Sequence, residues 1–335
     1  MGEDRINEFQ KKYLLKRQDF GILYPYIQEK SVTDLDWNGN QLWINDLERG
    51  RYLADETLPE VFVERFVMLL SNVSGMPFNR ANPILEVETE EMRISLVHQC
   101  VARTGMTISI RKMPATCRMT RESMVAGGYC SEEVCDFLIE CIREHKTMVI
   151  CGFPGCGKTE LLKFLTRYIE PSDRVITIED VMEIHYQALN PEKDCIEMKV
   201  ADNFTYAQAI RASVRQFPKW IILSEARSGE VRHFLDSLRT GASGLTTLHA
   251  NDVRSVPRCF ANMMSSDVDT DKEIFELIDV GILIKSELDL NGRRKRWIDQ
   301  VGIFRKDGKH QIELVVDNGK GKVPLGGIYE KDIAY

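Results

Sequence analysis

The octet Gly152-Phe153-Pro154-Gly155-Cys156-Gly157-Lys158-Thr159 constrains this chain more than any other feature. It fits the pattern GxxxxGK[ST], which carries meaning only with an apolar strand before it and a helix after it. Both are written here: Thr147–Cys151 is an apolar run of strand length, and Lys158–Tyr168 follows as a good helix former. A loop so placed can wrap a phosphate with its backbone N–H groups, and the helix N-terminus adds positive potential. Gly152, Pro154, Gly155, Cys156, Gly157, Lys158, Thr159 and Glu160 are the candidate nucleotide contacts. Lys158 is suited to the β and γ phosphates of ATP and Thr159 to Mg²⁺.

From Ser131 onward, short apolar strands alternate with amphipathic helices. Strands fit Thr147–Cys151, Arg174–Ile178, Trp220–Ser224 and Leu245–His249; helices fit Lys158–Tyr168, Tyr206–Gln216 and Glu230–Thr240. Such alternation predicts an α/β fold, a mostly parallel sheet with helices on both faces. Arg296–Phe304 and Gln311–Val316 read as antiparallel strands added late. The earlier part is α+β in texture. It offers a helix at Glu8–Lys16 and a hairpin, Ser31–Trp37 and Gln41–Asp46, around Asn38-Gly39-Asn40. A helix then follows Pro59 with Val61, Phe62, Phe66, Leu69 and Leu70 as its apolar stripe and Gly75 past its end, and strands fit Met92–Val97 and Met106–Arg111. With 335 residues the chain can bury two cores. We expect a smaller N-terminal α+β domain over 1–120 and a P-loop domain over 121–335, the boundary falling between residues 115 and 131.

Charge and cysteine usage exclude several classes. The 44 Lys+Arg against 51 Asp+Glu leave a net charge of -7, against a protein whose main business is coating nucleic acid. The dense basic run Arg293–Arg296 beside Asn291-Gly292 reads as a solvated hairpin end, with nucleic-acid or lipid-headgroup contact as the alternative. No apolar run approaches the roughly 20 residues of a membrane span. The acidic start lacks a signal core and Ile6 breaks a myristoylation motif, so the expected location is the cytoplasm. The 9 cysteines contain no CxxC pair, so neither a disulfide framework nor a zinc knuckle is expected; Cys130, Cys135 and Cys141 look like a cluster, but Cys141 falls on the helical face of Val134, Phe137 and Leu138, so core packing is expected.

Trp220–Leu223 ends at Ser224-Glu225. A carboxylate at a strand tip beside a P-loop is where an NTPase orients the attacking water or holds the metal shell. Taken together with an acidic box at Ile176-Thr177-Ile178-Glu179-Asp180, the segment Ser224-Glu225-Ala226-Arg227-Ser228-Gly229-Glu230, and a histidine box from Thr240-Gly241 to Leu248-His249-Ala250-Asn251, the chain resembles the secretion ATPases of the type II and type IV superfamily, hexameric motors of secretion, conjugation and pilus systems.

The resemblance implies a RecA-like P-loop domain, with Glu179 facing the nucleotide and its metal shell, Asp180 supporting the turn, Glu225 activating water and His249 sensing phosphate state. Each has a plainer alternative: Glu179 and Asp180 could cap a strand-to-loop turn, and His249 could be a hydrogen-bonded core histidine. It also implies that Arg93, Arg111 and Arg103 of the N-terminal domain reach the phosphates, although surface pairing is the ordinary fate of any single arginine. The sequence departs from the family at Phe153, Pro154 and Cys156 in the loop, at Ser224 before the glutamate, and at Phe217-Pro218-Lys219 before the strand. No cysteine-bearing zinc insertion is present, which brings it nearer the type IV secretion and tight-adherence pilus branch. The implied protein is a homo-hexameric Mg-ATP hydrolase, peripheral at the inner face of the membrane through platform proteins and not bound directly to nucleic acid. A nucleotide-gated scaffold with negligible turnover and a RecA-like nucleic-acid motor are the alternatives.

Overall fold

A computed structural model describes residues 15–201, 203–227, 230–264, 270–289, 293–306 and 310–324. The expected helix at Glu8–Lys16 lies almost wholly outside the described residues, and the Asn291-Gly292 turn lies outside them altogether. The chain divides into two compact units, one of residues 1–114 with 288–295 and one of residues 115–287 with 296–335.

The N-terminal unit is built on β1 (Val32–Trp37), β2 (Leu42–Asp46), β3 (Gly50–Leu53), β4 (Ile84–Glu88), β5 (Met92–Val97) and β6 (Thr107–Lys112). They form one antiparallel sheet in the order β3-β2-β1-β6-β5-β4. The expected hairpin is β1–β2, closed where the Asn38 side-chain oxygen accepts the N–H groups of Asn40 and Gln41. Helix Glu60–Ser74 starts after Pro59 and stops at Gly75, whose left-handed φ of 68° ends it. Its buried stripe is Phe62, Val63, Phe66, Val67 and Leu70, packed in one core with Leu35, Ile44, Ile94 and Ile110. The expected stripe is corrected at two places: Val61 is 76% exposed and Leu69 half-buried. A helix face centred on Phe62, Phe66 and Leu70 turns Val61 outward by about 100° and brings Val63 and Val67 inward.

The second unit holds β7 (Met148–Cys151), β8 (Val175–Glu179), β9 (Cys195–Lys199), β10 (Trp220–Leu223), β11 (Ser243–Leu248), β12 (Val280–Leu288), β13 (Arg294–Phe304), β14 (Ile312–Asp317) and β15 (Lys320–Gly321). The sheet order is β15-β14-β13-β12-β7-β11-β10-β8-β9. From β12 to β9 every neighbouring pair is parallel, and β13–β14 and β14–β15 are antiparallel. The central strands β7, β8, β10 and β11 are buried along their whole length, which is why they read as continuous apolar runs rather than alternating ones.

Alternate residues of β7 feed two cores. Met148 and Ile150 pack with helices Glu132–Arg143 and Lys158–Thr166; Val149 and Cys151 pack with helices Tyr206–Val214, Glu230–Leu238 and Val256–Met263. Cys135 and Cys141 are buried with Val134, Phe137 and Leu138, and no group of metal-ligating side chains occurs among the described residues. Edge strand β9 and strand β12 were not expected: Glu197 and Lys199 break the apolar run in β9, and β12 changes from apolar to polar halfway along. No helix among the described residues is long and apolar enough to cross a membrane.

Strand order places the site. From β7 the chain passes three positions over, beyond the places of β11 and β10, to reach β8, whereas β12 lies on the other side of β7. In open α/β sheets such a reversal leaves a crevice at the carboxyl ends of the strands. The P-loop, Glu179, Glu225 and His249 follow β7, β8, β10 and β11 at that edge.

Candidate nucleotide site

The loop from Gly152 to Gly157 carries the backbone that the octet requires. Gly152 has φ 151°, and a Cβ there would stand 2.5 Å from Cys156 Sγ and 2.7 Å from the Ile284 carbonyl oxygen, so no larger residue fits. Gly155 and Gly157 have left-handed φ of 75° and 98°. Cys156 turns under the loop into the core and is 1% exposed, while Phe153 is 66% exposed. The two bulkier departures from the family pattern therefore leave the cradle itself clear.

Lys158 is the first residue of its helix and is buried. Its Nζ donates to the carbonyl oxygens of Gly152 (3.0 Å) and Phe153 (3.4 Å). Burial holds its pKa below the ordinary lysine value. Lys158 Nζ also lies 3.2 Å from His249 Nδ1, which is 3.3 Å from the Gly152 carbonyl. The other ring nitrogen, His249 Nε2, is 2.7 Å from Glu225 Oε1. With Nε2–H donating to the carboxylate, Nδ1 accepts from the ammonium, and its approach to the Gly152 carbonyl is then a contact between two acceptors rather than a hydrogen bond.

Glu225 Oε2 accepts from Arg227 Nη2 at 2.5 Å, and Arg227 Nη1 donates to Asp180 Oδ2 at 2.7 Å. Asp180 is held in turn by its own N–H, which donates to the Tyr206 hydroxyl at 3.1 Å. A continuous polar chain, Lys158–His249–Glu225–Arg227–Asp180, thus crosses the ends of β7, β11, β10 and β8. Beside it opens a cavity of about 470 Å³ lined by Glu225, Ala226, Arg227, His249, Asn262 and Met263.

The acidic box is built around one buried carboxylate. Glu179 is fully buried, and its Oε2 accepts the N–H groups of Glu183 (2.9 Å) and Ile184 (3.0 Å). Burial outweighs those two bonds and pushes its pKa up to about 8. Its second oxygen, Oε1, has no hydrogen-bond partner among the described residues. The carboxylate beside Thr159 is Glu183, whose Oε2 accepts from Thr159 Oγ1 at 3.3 Å. Glu179 shapes the turn that delivers it.

The Glu160 side chain is engaged by other groups: its Oε2 accepts the Arg118 N–H at 3.1 Å, and its Oε1 is 3.9 Å from Lys163 Nζ. The Glu160 carboxylate thus anchors the segment at Arg118. Arg93 and Arg111 stand opposite each other on β5 and β6 of the N-terminal sheet. There Arg93 pairs with Glu86 (3.0 Å) and Arg111 with Asp34 (2.8 Å). Arg103 lines a separate cavity of about 370 Å³ with Arg80, His98, Gln99 and Cys100.

Sequence reasoning missed Glu183 and the position of Arg296. The former carries no motif signal of its own, lying four residues past Glu179. Arg296 belongs to the run taken as a solvated hairpin end; Arg293, Arg294 and Lys295 are exposed, but Arg296 is half-buried and donates to the Gly155 carbonyl.

These residues suit a nucleotide and a divalent ion: glycines where a Cβ would fill the cradle, a buried ammonium whose partners are loop carbonyls and an imidazole, and a hydroxyl–carboxylate pair beside an unpartnered carboxyl oxygen.

Comparison with known proteins agrees. The family described as Type II/IV secretion system protein matches residues 79–289. An uncharacterized Bacillus anthracis protein is 24% identical over 277 residues, 82% of this chain and 62% of that protein. Protein VirB11 of Agrobacterium fabrum is 32% identical over 152 residues, 43% of either chain. The chain therefore spans less than two thirds of the length of both relatives. In fold it is similar to the X-ray structure of the Legionella pneumophila ATPase DotB, with TM-score 0.61, 19% identity, and 82% of this chain and 78% of that one covered. Since the family match runs from before β4, through the P-loop, to just past β12, the chain belongs to the type II/IV secretion system protein family.

Proposed function

We propose that this chain is a RecA-like ATP hydrolase that works as a hexameric motor of a type IV secretion, conjugation or pilus machine. The observation that carries the reading is the polar chain from Lys158 through His249 and Glu225 to Arg227 and Asp180 at the mouth of the P-loop. In an NTPase, catalysis is positioning and electrostatics, so what matters is a base held in one orientation beside a cradle of N–H groups. Glu225 is such a base. His249 and Arg227 each hold one of its oxygens, leaving the carboxylate little freedom to turn.

Lys158 supplies charge to the phosphates, and its low pKa reflects a cation desolvated for that purpose. His249 touches both Lys158 and Glu225 and so reports the state of the phosphate side to the base. Thr159, Glu183 and Glu179 are the groups that would hold Mg²⁺, which when bound screens the phosphate charge and orients the phosphate oxygens. Arg93, Arg103 and Arg111 are proposed to complete the site from the N-terminal unit. Attachment to the inner face of a membrane would come through platform proteins, without direct nucleic-acid contact.

The test is Glu225→Gln. It keeps size and shape but cannot take a proton, so turnover should fall by about two or more orders of magnitude while ATP binding persists. Hydrolysis at the parental rate would remove Glu225 from the role of base. Undiminished secretion by a non-hydrolysing variant would favour a scaffold that needs only bound ATP.

A further inference from the structure

We infer that Arg296, on β13 and outside every motif of the sequence, is a positioning residue of the phosphate cradle. The inference rests on the nucleotide-binding reading above and deepens it. Its guanidinium donates through Nη2 (3.3 Å) and Nε (3.4 Å) to the carbonyl oxygen of Gly155, the central glycine of the loop.

The physical need for such a donor follows from the loop's chemistry. A cradle that presents N–H groups inward must turn carbonyls outward, and an outward carbonyl needs a partner. Gly155 has a left-handed φ of 75°, and among the described residues nothing beyond its own chain neighbours stands within 4 Å of the place its Cβ would occupy. The peptide that follows Gly155 is held on its N–H side, where Cys156 donates to the Phe153 carbonyl at 3.3 Å, and Arg296 holds its oxygen side.

Arg296 also packs on the next loop glycine. A Cβ on Gly157 would lie 3.4 Å from Arg296 Cδ and 3.7 Å from its Nε. The strand holding the arginine is itself pinned two residues on, where the Ile298 N–H donates to the Tyr129 carbonyl at 2.7 Å. The guanidinium therefore approaches the loop from a fixed strand and places positive charge beside the cradle, a second cation after Lys158. Of the basic run at 293–296, Arg296 is the half-buried member.

The experiment measures ATP affinity and steady-state kinetics of the full chain for Arg296→Ala and Arg296→Lys, with Lys158→Ala as the reference for loss of the cradle. Arg296→Ala should raise Kd and KM for ATP about tenfold, the size of one lost charge-assisted hydrogen bond, with kcat changed less than about threefold. Arg296→Lys keeps the charge but not the two-nitrogen fork, and should recover part of the affinity. Melting temperature without nucleotide should stay near that of the parent, because the side chain is half-exposed. Affinity within twofold of the parent in Arg296→Ala would overturn the inference, as would a fall confined to kcat. A parental chain that binds no ATP, or a Lys158→Ala variant that binds it normally, would instead overturn the nucleotide reading.

Discussion

Lys158 is a buried ammonium whose hydrogen-bond partners among the described residues are two carbonyls and an imidazole, with no carboxylate of those residues in direct contact. A cation left in such surroundings costs stability, and its lowered pKa expresses that cost. Lys158→Met should therefore melt at or above the parent in the absence of nucleotide, yet lose at least about tenfold in ATP affinity for want of the charge. Thermal melts with and without ATP would show both signs at once, since the nucleotide-dependent rise should vanish in the variant. Motif reading found Lys158, Thr159, Glu225 and His249 because each sits at a fixed offset from a glycine or a strand end. It could not find that Glu183 takes the place beside Thr159. A turn held by Glu179 accepting two backbone N–H bonds decides that, and no spacing rule encodes it.

Among elements, the hairpins of the N-terminal sheet show how one buried carboxylate can fix a turn. Asp46, at the end of β2, is 6% exposed and accepts from the N–H groups of Glu48 (2.7 Å) and Arg49 (3.0 Å) and from Ser31 Oγ (2.9 Å). Burial raises its pKa, but these bonds and the nearby Arg49 charge outweigh it and leave the group below its ordinary 3.8. A depressed carboxylate stabilises the fold fully above its unfolded pKa and loses that contribution as pH falls through the folded value. Asp46→Asn should thus destabilise the chain by about 1–2 kcal/mol at pH 7. The gap between variant and parent should close as denaturant melts are repeated toward pH 3. The hairpin β1–β2 was legible from Asn38-Gly39, whereas β3 and β4 were not: four or five residues of mixed polarity become strands only because a neighbouring edge offers them hydrogen bonds.

For the whole molecule, the proposed role of the N-terminal unit rests on Arg93, Arg103 and Arg111. Their charge would matter most as negative charge builds on the transferred phosphoryl group, so Arg93→Ala and Arg111→Ala should lose hydrolysis far more than ATP binding. A chain beginning at Ala115 should likewise bind ATP but hydrolyse it poorly; full turnover by that truncation would end the role assigned to the unit. Arg93 and Arg111 also hold ion pairs with Glu86 and Asp34, so each variant's melting temperature separates loss of a surface pair from loss of rate. The P-loop, the parallel α/β layering and the strand-end positions of Glu225 and His249 were determined by the sequence alone. Glycine spacing, apolar run length and helix periodicity report local backbone geometry, and local geometry is set by neighbours in the chain. Only the tertiary structure decided that His249 bridges Lys158 and Glu225, that Arg227 reaches Asp180, and that Arg296 meets Gly155. Those partners, apart from the adjacent Glu225 and Arg227, come from strands far apart in the chain, and sheet order, not spacing along the sequence, brings their side chains within hydrogen-bonding distance.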